Sequence, residues 1–148
     1  MKKNNQKFGF TLIELLVVIA IIGILTTIVL VMLNGAKDKS RAGSAKATMA
    51  NIKSQAALYM SANGNYGNIT NCDSGMFATD TTLDAQMESL KGYVGVVTCN
   101  SDQTSPANDQ AWAMSVLLPG AGAGNWCVDS NNRVGVFALT GATDFTCD

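Results

Sequence analysis

The sequence predicts an α+β fold: one long N-terminal helix, membrane-spanning in its first half, whose second half packs on a small antiparallel β-sheet head. Three observations predict it. Residues 10–33 form an apolar run of 24 residues interrupted by a single charge, Glu14. Behind that run, small and apolar residues recur at alternating spacings of three and four as far as Tyr59. Beyond the turn-forming stretch Asn63-Gly64-Asn65, short alternating or β-branched segments replace the helical pattern. A chain of 148 residues has room for one compact domain and hardly more.

Charge divides the chain more sharply than its net value of −1 suggests. Residues 1–9 carry +3, residues 10–53 carry +3 and residues 54–148 carry −7. An acidic distal half repels phosphate backbones, so no nucleic acid partner is expected. The chain has no His, which removes the commonest general base and metal ligand, and nothing resembles a nucleophile, base and oxyanion site together. We therefore expect no enzyme, no cofactor and no metal site. Cys72, Cys99, Cys127 and Cys147 lie 27, 28 and 20 residues apart with no C-x-x-C pair, a spacing that favours two disulfides and an oxidising compartment.

As a helix, residues 10–33 would cover roughly 36 Å against a hydrocarbon core of about 30 Å. The run exceeds the apolar core of an ordinary secretory signal, and Leu33-Asn34-Gly35-Ala36 is a poor site for the ordinary signal peptidase, so the segment should be retained. Lys2, Lys3 and Lys7 should stay cytoplasmic, and the disulfides put the distal half outside. Glu14 is the anomaly, because an acid in a spanning helix costs roughly 2.5–3.5 kcal/mol. No Lys or Arg lies within the run. Cutting the chain after Gly9 would free an α-amino group on Phe10 and supply the missing cation.

The basic leader, Gly9, Phe10-Thr11-Leu12-Ile13-Glu14 and the apolar helix together resemble the class III signal of type IV pilins and type II secretion pseudopilins. That resemblance implies cleavage after Gly9 by a prepilin peptidase, N-methylation of Phe10, and pairing of Glu14 with the α-amino group of a neighbouring subunit. Close likeness covers residues 7–24 and extends loosely to about residue 62. Many relatives carry a helix-breaking Pro in the second half of the apolar segment, where this chain has Val29, Leu30 and Val31.

Each later element follows from local pattern. Ala42, Ala45, Met49, Ile52, Ala56 and Tyr59 make one helical face, Lys39, Arg41, Lys46 and Lys53 fall elsewhere, and no Pro intervenes, so one helix over residues 11–62 is expected. Tyr66, in the loop that follows, resembles the Asn-Gly-x-Tyr junction of many pilins and pseudopilins. Residues 81–91 read as a short helix with Thr81 or Thr82 as N-cap, Asp84 in its first turn, Lys91 in its last and Gly92 as its stop. Asp80, Asp84 and Glu88 lack the glycine and dense ligands of a calcium loop and read as a solvated face. Strands are expected at 93–99, 111–118, 126–129 and 133–139, with Ser130-Asn131-Asn132 as a tight hairpin. Trp112, Met114, Val116 and Leu118 share a face, and Trp112, Trp126 and Phe137 are the expected core aromatics. Of the three cysteine pairings, Cys72 with Cys99 and Cys127 with Cys147 is favoured because it closes two separate loops without crossing the chain.

The expected organisation is a cleaved leader (1–9), a transmembrane and assembly helix (10–33), an amphipathic stem (34–62) and a disulfide-bonded head (63–148). The resemblance implies a structural subunit held in the inner membrane by one span, bathed by lipid before assembly. It also implies partners: the prepilin peptidase, an inner-membrane assembly platform and further copies of the chain in a helical filament. A surface pilus leads, because two disulfides and an acidic head suit extracellular exposure. A periplasmic type II secretion pseudopilus and a membrane-tethered or minor-subunit binding module are the alternatives.

Overall fold

The computed structural model describes residues 10–102, 110–120, 122–137, 139, 146 and 147. The chain divides into two compact units, one ending at Lys37 and one beginning at Asp38. Helix α1 (Leu12–Asn63) runs through both. Nothing in its sequence breaks the backbone ladder until Gly64, which takes a left-handed φ of 78° while its N–H donates to the Met60 carbonyl at 2.8 Å. In the first unit every described side chain from Phe10 to Lys37 is exposed.

In the second unit the stem of α1 buries the expected stripe. Ala45, Met49, Ile52 and Ala56 are wholly buried, with Ala42 and Tyr59 packed at their margins. Two short helices follow, α2 (Met76–Thr79) and α3 (Thr81–Val94). Then comes a four-stranded antiparallel meander of β1 (Val97–Ser101), β2 (Trp112–Leu117), β3 (Asn125–Asp129) and β4 (Val134–Gly135), paired in that order. Helix α2 was not foreseen; four residues are too few to carry a helical period.

Helix α3 departs from expectation at both ends. Asp80, not a threonine, is the N-cap: its backbone is extended and its Oδ1 accepts the N–H groups of Thr82 at 2.8 Å and Leu83 at 3.0 Å. Gly92 stays helical, and the stop is Gly95 at φ 80°. Tyr93 and Val94, which read as the start of a strand, pack against the core as the helix's last turn, and β1 therefore begins only at Val97. Lys91 pairs with Glu88 at 2.9 Å and with Asp73 in the preceding loop.

The register places Met114 opposite Cys99 and Val128, so Trp112, Met114 and Val116 line the stem-facing side of the sheet. Trp112 sits at its centre, with the rings of Tyr66 and Phe77 edge-on at 6.2 and 6.1 Å. Of the other two expected core aromatics, Trp126 packs at the margin of the core and Phe137 does not join it. Trp126 is half-buried beneath the Lys46 ammonium, 3.9 Å from the ring centre. Phe137 is 39% exposed: β4 stops at Gly135, and the Phe137 ring lies where a Cβ on that glycine would otherwise be. The turn at 130–132 closes as the sequence predicts, with Asn132 at φ 69°.

The opposite side of the sheet is buried as well. Ala113, Ser115, Cys127 and Asp129 are covered, and described residues of the C-terminal segment lie against them. Leu139 N donates to Ser115 Oγ at 3.4 Å, and Cys147 N donates to Asp129 Oδ2 at 3.0 Å. One disulfide therefore sits on each side: Cys72–Cys99 ties the loop after the stem to β1, and Cys127–Cys147 ties the C-terminal segment to β3. Asp129 accepts a second amide, Arg133 N at 2.9 Å, so one buried carboxylate fixes both the hairpin and the C-terminal segment.

Asp129→Ala should therefore destabilise the head by roughly 2–3 kcal/mol, because it leaves the Cys147 amide buried without its acceptor; an unchanged denaturation midpoint under non-reducing conditions would contradict this. Asp80→Ala should cost about 1 kcal/mol at neutral pH. The Leu83 and Thr82 amides, with Leu83 the larger influence, hold the Asp80 carboxyl below the usual aspartate range. Its contribution is thus full above that range and lost as pH falls through the lowered value. The gap between wild type and Asp80→Ala should close in acid, and a gap that widens there would refute the assignment.

Candidate functional site

The start of α1 holds the residues to which the sequence assigns processing and assembly. Gly9 lies outside the described residues. Phe10 is the first described residue, outside the helix and 79% exposed. Thr11 occupies the N-cap position before Leu12, and Glu14 stands three residues on.

These two residues close a reciprocal capping box. The Glu14 N–H donates to Thr11 Oγ1 at 3.3 Å, and Glu14 Oε2 accepts the Thr11 N–H at 2.9 Å and the Thr11 hydroxyl at 2.7 Å. The carboxylate thus has a partner within its own chain, where the sequence reading had sought one only in a new α-amino group. The pair is legible in the sequence as T-x-x-E ahead of an apolar run. Both bonds fall on Oε2; among the described residues Oε1 carries none. The box supplies hydrogen bonds without charge, so among the described residues the negative charge of Glu14 has no countercharge, and the nearest described base in sequence is Lys37.

Helical spacing sets Glu14 in an apolar strip with Phe10, Ile13, Val17 and Val18, which together line a shallow concavity. From there to Leu33 the helix is apolar all round and uncovered. Even Val18, among the better shielded, is 46% exposed. The two hydroxyls within this stretch are satisfied internally: Thr26 donates to the Ile22 carbonyl at 2.7 Å and Thr27 to that of Gly23 at 3.0 Å. Among the described residues Glu14 is therefore a charge without a countercharge in the apolar stretch 10–33, within a helix long and apolar enough to cross a membrane.

The head offers no comparable chemistry among the described residues. All four cysteines are bonded in disulfides, and no group of metal-ligating side chains comes together.

Residues 4–30 match the family model described as the prokaryotic N-terminal methylation motif. No curated protein and no solved structure matches the chain. The match spans the leader junction, the Thr11–Glu14 box and most of the uncovered helix. An exposed apolar helix behind such a motif fits a membrane-anchored precursor, and the motif implies a structural protein. Over residues 4–30 the chain thus carries the prokaryotic N-terminal methylation motif, the signal found on type IV pilins and pseudopilins.

Proposed function

We propose that this protein is the structural subunit of a type IV pilus-like filament. A prepilin peptidase cuts after Gly9, Phe10 is N-methylated, and residues 10–33 hold the subunit in the inner membrane until an assembly platform draws it into the filament. There the same segment packs among its counterparts, while the stem (34–62) carries the disulfide-bonded head (63–148) on the outside. The observation that carries this reading is the uncovered apolar helix directly behind the methylation motif.

Glu14 then has two tasks on its two oxygens. Oε2 fixes the first turn of its own helix through Thr11, and Oε1 is left for the ammonium of a neighbour's Phe10. A buried carboxylate without a countercharge costs several kcal/mol, so a filament interior made of these helices favours the arrangement in which every Glu14 is paired. Transfer from lipid to a helical core brings little hydrophobic gain, since acyl chains are as apolar as leucine. Pairing and close packing must then direct the order of addition, with the platform supplying the work of extraction. A surface pilus is favoured by the two disulfides and the acidic head; a periplasmic pseudopilus is the other outcome of the test below.

Intact mass of protein sheared from cell surfaces should correspond to a chain beginning at Phe10, with one added methyl group and two disulfides. Processed protein confined to the periplasm would assign the filament to a secretion system, and an uncut chain in cells with an active prepilin peptidase would overturn the reading. Glu14→Ala should leave cleavage intact and lower filament yield about tenfold or more, the equivalent of roughly 1.4 kcal/mol per addition. Glu14→Gln separates the two tasks, because an amide oxygen can still close the capping box but cannot neutralise an ammonium. We expect it to fail as Glu14→Ala does; filaments at wild-type numbers would mean that capping alone is required.

A further inference from the structure

A groove of about 290 Å³ with a largely apolar wall and a few polar groups opens on the head where the stem meets the β3–β4 turn, lined by Lys53, Ser54, Ala57, Tyr66, Trp112, Ser130 and Asn132. Its chemistry is one-sided. Lys53 Nζ spends one of its three donors on Asn132 Oδ1 at 2.7 Å. Ser130 Oγ accepts the Trp112 backbone N–H at 3.2 Å, which leaves its own proton to give. Burial pushes the Tyr66 phenol above its usual range, so it too stays a donor. The Trp112 indole N–H is buried and closes no hydrogen bond of good geometry among the described residues, the Tyr66 phenol being the acceptor it acts on. No carboxylate lines the groove. Donors and one anchored cation thus face a space too small for a large ligand and ample for an acidic side chain.

The fold also says where such a side chain could come from. Gln55 Nε2 donates to Asp80 Oδ2 at 3.2 Å and Tyr59 Oη bonds Thr79 Oγ1 at 2.8 Å, which sets α2 and α3 on one flank of the stem. Lys46 over Trp126, and Lys53 on Asn132, set the β3–β4 hairpin on the other, with the buried stripe between. Among the described acids of the head, Asp129 is buried, Asp73 and Glu88 share Lys91, Asp80 caps α3 and Asp102 has contacts of its own. Asp84 is exposed on α3 and makes no side-chain bond there.

We propose that this groove takes the Asp84 carboxylate of a second copy of the chain, so that each head offers an acid on one flank and a receptor for it on the other. The inference rests on the filament reading above. With acid and receptor on opposite flanks of the stem, one partner cannot engage both at once across a two-fold axis; a head-to-tail pairing sets Asp84 of one copy against Lys53 of the next, the kind of contact that builds a helical filament when its rotation does not close a ring.

Two measurements on the full-length protein test this. Lys53→Glu and Asp84→Lys should each lower the yield of sheared filaments about tenfold, and the two combined in one chain should restore it, because the contact is re-formed with its charges exchanged. Single variants without effect, or a combination no better than either, would overturn the pairing. On wild-type filaments built from mixed isotopically light and heavy subunits, a zero-length carbodiimide should join Lys53 to Asp84 across the two labels. Filaments that form without that cross-link refute the groove's assignment and leave the filament reading intact, whereas processed protein that forms neither filaments nor the cross-link refutes both.

Discussion

An apolar helix that leaves every side chain from Phe10 to Lys37 exposed imposes the condition on which the rest of this structure depends. Water is not a tolerable surrounding for it, since each fully exposed Leu or Ile forgoes about 1.5–3 kcal/mol of burial. Lipid is tolerable, and so is a sheath of equivalent helices. Glu14 distinguishes the two. In lipid its charge has no partner, and the Thr11 box supplies hydrogen bonds but no countercharge. On the filament reading proposed above, further copies cut after Gly9 would each bring an ammonium at Phe10 and remove the penalty that lipid leaves in place.

The head meets a different constraint. The sheet is short and flanked by two small helices, and it becomes a core only by closing on the stem through Ala45, Met49, Ile52 and Ala56. The small alanines let the sheet come near, and Trp112 fills the centre under Tyr66 and Phe77. On the far side Asp129 and the Cys127–Cys147 disulfide hold the C-terminal segment down by different means, one electrostatic and one covalent. Anchoring both sides of the sheet suits a domain too small to be stable by burial alone.

Much of this was legible in the sequence, and the failures have physical causes. The length of α1, its buried stripe and the turn at Asn132 follow from periodicity and turn chemistry, which act locally. The cap of α3 did not follow: in Asp80-Thr81-Thr82 any of the three side chains is a good cap, and only the backbone decides which stands at the helix entrance. Tyr93 and Val94 carry strand propensity, yet contact with the core keeps them helical. Ser115 and Asp129 alternate with apolar partners as a solvent-facing side would, yet both are buried and bond Leu139 and Cys147 from far along the chain, tertiary contacts that alternation does not encode. The Thr11–Glu14 box was legible as a motif and passed over because an acid in an apolar run demands a cation first.

On the filament reading proposed above, copies of this chain cover the exposed helix and neutralise Glu14. The most direct measurement is a reconstruction of sheared filaments by electron cryomicroscopy at a resolution that places side chains. The account requires the helices from Phe10 to Leu33 to form the filament core, with each Phe10 amine within ion-pair distance of the Glu14 carboxylate of a neighbouring subunit. A core in which the Phe10 amine turns back to its own Glu14, or in which lipid rather than protein lies against residues 10–33, would contradict it.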